Sequence, residues 1–245
     1  MIDGLYAAAN GMQAQQGMID AISNNLANLS TPSYKSQRYS FQDLLYQQQG
    51  VNRAVSGGTV GSGAKGVDMG LSMTQGPIEA STNPLDLAID GPGFFQVTLA
   101  NGEPGLYRAG QFRIDANRDL VTPEGNKLIP NIRVPAGVDP ASLEISAEGV
   151  VVAAGKQIGK ITLVNVPNPS ALQPLGGSLY AVNAESGPIS QGGTGYIRQG
   201  AQEGSNVDSS LQFTELIQAQ RTYDLCSRSV RTWDEMLQTA NQIRR

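Results

Sequence analysis

Asp86 and Asp90 stand four residues apart in an alternating run, and a carboxylate pair is the equipment of glycoside hydrolysis. On one face of a strand they would lie roughly 13 Å apart, beyond either hydrolytic geometry, so they read as surface or interface polar groups. "DANRD" at 115–119 opens like a calcium loop. The sixth position of such a loop should be glycine and the twelfth a bidentate glutamate; here they are Leu120 and Asn126. A solvated β-turn fits better. "GSGAKG" at 61–66 has the spacing of a dinucleotide loop, which needs a strand before it and a helix after it. Its flanks are glycine-rich and Met69-Gly70-Leu71 follows, so it reads as a linker. Cys226 has no histidine anywhere in the chain to activate it and reads as a small packing residue. No catalytic, cofactor-binding or metal-ligating residue is expected, and no cofactor.

Composition narrows the classes further. The net charge of -4 argues against a nucleic-acid groove, which needs clustered Lys and Arg. One cysteine excludes an intramolecular disulfide. No stretch approaches the ~20 apolar residues of a membrane span, so no direct membrane insertion is expected. No Lys or Arg precedes Lys35, and Asn10 and Gln13 interrupt any apolar core, so no cleavable secretory signal is expected. Abundant glycine and sparse aromatics suit short strands and many turns.

The ends of the chain share one pattern. Leu5, Met12, Ile19 and Leu26 recur every seven residues, with Ala8, Gln15, Ile22 and Leu29 at the offset position. Toward the C-terminus Leu216, Tyr223, Val230 and Leu237 form one register and Ala219, Cys226, Trp233 and Ala240 the other. Such a/d spacing predicts two long helices, about 40 and about 50 Å, paired as a coiled coil. Ser205 or Asn206 would cap the second, with Asp208 against its dipole. Between them Leu85, Leu87 and Ile89 alternate with Asp86, Ala88 and Asp90, and Phe94 to Leu99 leads into a hairpin turn at Asn101-Gly102. Further strands are expected at Leu106 to Ile114, Leu143 to Ile145, Val150 to Ala153 and Ile161 to Val166. The expected fold is α+β: an inner coiled-coil domain from 1–34 and 205–245, a connector at 35–66, an all-β outer domain at 67–189 and a return connector at 190–204.

"ISNNLANLSTPSYK" near the start resembles the N-terminal signature of the flagellar rod and hook family, the axial proteins of the bacterial flagellum. "EGSNVDSSLQFTELIQAQRTYDLCSRSVRTWDEMLQTANQI" is similar to that family's C-terminal signature. "NPLDLAIDGPGFFQV" and "YRAGQFRIDANRDLVTPEGNKL" look like its middle domain. "FQDLLYQ", "GPGFFQV" and "LIQAQRTYD" bring the chain nearest the distal-rod members, with a proximal rod or hook paralogue as the alternative. Ser33 and Arg118 stand where the family tends to have turn glycines, and Cys226 where it tends to have asparagine.

The resemblance implies a non-enzymatic subunit of the basal-body rod that polymerises into a helical tube, serving as drive shaft and export channel between motor and hook. Implied partners are further copies of the chain, proximal rod proteins, the hook protein, rod bushing or ring proteins and the flagellar type III export apparatus. Export would cross the inner membrane as an unfolded chain. With Leu26 at the centre of its stripe, Asn24 and Asn28 fall on the opposite side and Asn25 on a flank. These three and Asn206 are expected to bond neighbouring subunits or the connector. The off-seam Gln13, Gln16, Gln212, Gln218, Gln238 and Gln242 would line the channel or else form an ordinary solvated face. Two other classes remain: a coiled-coil/β extracellular fibre, which would carry a secretion signal, and a cell-wall hydrolase, which would need a carboxylate pair or metal site.

Overall fold

The computed structural model describes residues 2–44, 47–48, 59–60 and 63–243. The chain divides into two compact units, Met1–Ala27 with Gln37–Met69 and Asp208–Arg245, and Asn28–Ser36 with Gly70–Val207.

The first unit holds two helices, α1 (Ile2–Ala27) and α2 (Ser209–Ile243), and a ribbon in which Gln37–Asp43 pairs with Ala64–Leu71. The cap of α2 is Asp208 rather than Ser205 or Asn206. Its Oδ1 accepts the orphan amides of Ser210 and Leu211 at 2.9 and 3.2 Å.

The expected α+β architecture is corrected here. Among the described residues two α-helices and two short 3-10 turns stand against twenty strands, and the fold is mostly β. Nor are the helices a long coiled-coil pair. A heptad period shows only that one stripe is apolar; what covers it is decided by the rest of the fold. α1 carries glycines on its contact face. At Gly4 the Trp233 ring lies 3.0 Å from where a Cβ would stand, so a bulky side chain rests on bare backbone instead of entering a hole between four neighbours. At Gly17 the neighbour is Tyr39 of the ribbon, whose hydroxyl fills the space of a side chain. The expected seam is accordingly half-covered. Leu5, Met12, Ile19, Leu26, Leu216, Tyr223, Cys226, Val230 and Trp233 are half-buried, whereas Ile22 and Ala219 are buried. Leu29 lies beyond the end of α1 and is 39% exposed. The side chain of Leu237 lies outside the described residues.

Gln15, the weak point of the N-terminal register, keeps its amide oxygen buried without a hydrogen-bond partner. An orphaned buried acceptor costs about 1–3 kcal/mol. Gln15→Met, which keeps the volume, is therefore expected to stabilise the chain by about 1 kcal/mol. The check is urea unfolding followed through Trp233 fluorescence; an unchanged or lower midpoint would mean the oxygen costs nothing where it is.

The second unit is antiparallel throughout its sheets. Phe94–Thr98 is the hub, flanked by Pro104–Tyr107, Lys127–Ile129 and Leu163–Asn165. The expected hairpin turn is present: Gly102 adopts φ +82°, and Leu99 and Glu103 close it. Phe95, Tyr107 and Phe112 meet edge to face with centroids 5.2 and 5.7 Å apart, an arrangement favoured by the ring quadrupoles. On the other side of the sheet Phe94 joins Leu106, Val164, Leu172 and Tyr180 in a second cluster. The alternation at 85–90 predicts one buried face, yet every residue from Leu85 to Ile89 is buried. Leu87–Asp90 pairs with Tyr196–Gln199; Leu85, Leu87 and Ile89 enter the main apolar cluster, while Asp86 on the other side is held by Ser81 and Asn83.

Candidate functional site

Pro32 prevents continuation of the segment after α1, and the chain turns through Asn28 to Ser36. Ser33 occupies the left-handed region, φ +54°, where glycine is the easy choice. Its surroundings hold it there. It is fully buried, its amide donates to the Glu203 carbonyl at 2.8 Å, and its hydroxyl donates to the Arg108 carbonyl at 3.3 Å. Arg118, the other residue expected at a glycine position, also has φ of +64° and donates to the Val134 and Val138 carbonyls at 3.0 and 2.8 Å.

Two residues past Ser33, Lys35 enters the interior. Its ammonium donates to Glu203 Oε1 at 2.5 Å and to the Thr74 carbonyl at 2.9 Å. Arg108 Nε donates to Glu203 Oε2 at 2.7 Å, and its Nη atoms serve the carbonyls of Ile89, Gly91 and Gly93. The Gly76 amide gives the carboxylate a further bond at 3.0 Å. Lys35 is 2% exposed and Glu203 fully buried. Burial pushes the Glu203 carboxyl up, but Arg108 and Lys35 together overcome that and hold it below the ordinary carboxylate value. Burial pulls Lys35 below the usual lysine value, against the attraction of Glu203. Two cations on one carboxylate leave an excess positive charge, which the four backbone carbonyls partly offset.

Asn206 is bonded into the same region. Its Nδ2 donates to the Ser72 and Thr74 carbonyls at 2.8 and 3.0 Å, and its Oδ1 accepts the Ser36 amide at 2.8 Å. Thr74 therefore accepts from both Lys35 and Asn206. Within the first unit Asn25 is also buried: it exchanges two bonds with the Gln37 backbone, at 2.9 and 3.1 Å, and donates to Gln212 at 3.0 Å. Asn28 follows α1 and accepts from the Thr31 hydroxyl at 3.1 Å, while Asn24 is exposed. Cys226 Sγ lies 3.3 Å from a Cβ position at Gly11. Reading the sequence for chemistry missed Lys35, Arg108 and Glu203. The signal available was the one Lys of the N-terminal signature and Glu203 at the head of the C-terminal one, which also holds Glu215 and Glu235, with nothing to pair them before folding.

The stretches set aside on sequence grounds are structural. Asp86 is buried and accepts from Ser81 and Asn83 at 2.5 and 2.8 Å, while Asp90 lies half-exposed 3.8 Å from Arg198. Gly61 and Ser62 of the glycine-rich stretch lie outside the described residues, and a strand, Ala64–Leu71, follows. Among the described residues no cluster could hold a metal ion, and no helix is long and apolar enough to cross a membrane. In the 115–119 turn, Asp119 accepts from Arg133 at 2.9 Å and Lys127 at 3.1 Å. The hydrogen bond from Arg133, then that from Lys127, holds its carboxyl down to about 2. The folded value lies below the unfolded 3.8, so this stabilisation is complete above 3.8 and is lost as pH falls from there through about 2. Asp119→Asn is expected to flatten the acid limb in that window. Urea midpoints measured above and below pH 3.8 check it; parallel curves for the two proteins would refute the assignment.

Three family profiles match the chain: flagella basal body rod protein at 5–35, the flagellar hook protein FlgE/F/G D1 domain at 88–153, and the flagellar basal body rod FlgEFG protein C-terminal at 198–243. Lys35 falls in the first and Glu203 in the third, with Arg108 in the middle one, so the buried triad links all three. Full-length similarity is to flagellar basal-body rod proteins FlgG. The relative from Agrobacterium fabrum is 39% identical over 95% of both chains. That from Buchnera aphidicola subsp. Schizaphis graminum is 37% identical over 99% of this chain and all of its own. The Bacillus subtilis relative is 34% identical over the whole of both. Matching profiles at both ends and in the middle, with full-length relatives named FlgG at 34% identity and above, mean that this chain belongs to the FlgG-type flagellar basal-body rod proteins, a family of structural rod subunits rather than enzymes.

Proposed function

We propose that the chain polymerises with copies of itself into the distal part of the flagellar rod, a helical tube that carries torque from motor to hook and leaves a channel for export. The observation that carries this reading is the uncovered apolar surface of α2. Leu211, Phe213, Ile217, Leu225 and Met236 are each 48–62% exposed. Apolar side chains grouped on two flanks of one helix mark an association surface rather than a solvated one. Different flanks meeting different neighbours make a heterologous contact, which generates a helix when the rotation does not close. Exposed amides at Gln13, Gln16, Gln218, Gln238 and Gln242 suit a channel wall, since they offer no charge to trap a passing chain. Proximal rod proteins below, the hook protein above, a surrounding bushing or ring and the type III export apparatus are the partners of this reading, with the chain crossing the inner membrane unfolded.

Electron microscopy of basal bodies from a strain lacking the gene tests it. A rod stub without a hook is the expected result. Loss of the rod from its base would move the chain to the proximal rod, and intact hooks and filaments would overturn the axial reading.

A further inference from the structure

A cleft of about 260 Å³ opens beside the buried triad. Met73, Phe94, Pro92 and Pro169 give it apolar walls, and Lys35, Arg108, Gln75 and Asn165 are its charged and polar lining. Lys35 spends two of its three ammonium hydrogens on Glu203 and Thr74. Two cations against one carboxylate make this part of the lining positive. Such a cleft suits an apolar group carried beside a carboxylate.

The same chain exposes that combination. Phe41 and Asp43 lie in the strand Gln37–Asp43 two residues apart, so they share a face with about 6–7 Å between them. Phe41 is 41% exposed and Asp43 is exposed as well. An aromatic ring of this size left in water is a cost that association removes. Self-assembly brings this strand of neighbouring copies within reach, so the occupant assigned is the strand of another molecule.

We propose that the cleft beside Lys35 and Arg108 receives Phe41 and Asp43 of a second copy, the ring between Phe94 and Met73 and the carboxylate toward the Lys35 ammonium. The proposal rests on the self-assembly reading above and names one contact of it. The test is an NMR titration of the isotope-labelled full chain with a synthetic peptide covering 37–44, acetylated and amidated to remove its terminal charges. Saturable shifts are expected at the Met73, Gly91 and Gly93 amides, with binding about tenfold weaker for peptides carrying Asp43→Asn or Phe41→Ala. Absence of saturable shifts, shifts elsewhere only, or equal binding by the altered peptides would overturn it. Equal binding would point to an unspecific apolar occupant instead. Changing the peptide leaves the folded chain intact, so no outcome is confused with misfolding. If deletion of the gene leaves a hookless stub while the peptide does not bind, the docking proposal fails and the rod reading stands. If hooks remain intact while the peptide binds, the rod reading fails and the cleft contact stands.

Discussion

Glu203→Gln is expected to destabilise the second unit by about 3–5 kcal/mol, because it strands two buried cations. In the native chain each carboxylate oxygen has its own cation, Lys35 at 2.5 Å and Arg108 at 2.7 Å. The amide that replaces it has nearly the same shape but no charge, and its NH2 would face a donor. Lys35→Met should cost less, since it leaves Glu203 and Arg108 as a neutral pair. The asymmetry is the diagnostic: urea unfolding monitored by tyrosine near-ultraviolet circular dichroism should rank Glu203→Gln well below Lys35→Met. Equal losses would show that the excess charge carries no weight. The pH dependence follows from the same group. The folded carboxyl lies below its unfolded value of 4.5, so its contribution is present above that value and disappears as pH falls through the lower folded one. Glu203→Gln should therefore remove part of the acid limb as well as lower the plateau.

Asn206→Ala is the second large effect, about 1–3 kcal/mol, from half-buried partners left without bonds. The Ser36 amide loses its acceptor, and the carbonyls of Ser72 and Thr74 lose a donor. Asn206→Asp would keep the acceptor for Ser36 but turn an anion toward two carbonyls, so it should be no better tolerated. Hydrogen exchange gives a local readout. The Ser72 amide donates to the Ser36 carbonyl at 2.8 Å and should lose protection with the alanine variant. Because Thr74 is shared with Lys35, the two variants should not add; their double-mutant coupling is expected at about 0.5–3 kcal/mol. A loss below about 0.5 kcal/mol with unchanged exchange would refute the intramolecular role and leave the amide for a contact between subunits.

Part of this was legible in the chain itself. Asn101-Gly102 announces its hairpin because few residues other than Asn and Gly accept the left-handed backbone such a turn needs. The failed positions at Leu120 and Asn126 rule out the calcium loop by chemistry alone. What covers the helical stripes was not legible, and the coiled coil expected from them was wrong. Seven-residue spacing at Leu5, Met12, Ile19 and Leu26 reports an apolar stripe, and it does not report whether leucines, glycine backbone or a tyrosine from a ribbon will cover it.

Local pattern by itself determined what local forces decide: where helices and turns form, which residues avoid water, and which motifs lack the side chains for a reaction. The family signatures at the two ends and in the middle were likewise readable in order. Tertiary structure alone decided that Lys35, Arg108 and Glu203, separated by 73 and 95 positions, share one buried carboxylate. It also decided that Asn206 and Asn25 turn inward. A buried charge has no local signature, because its stability depends on a counter-charge that only the folded chain brings within bonding distance.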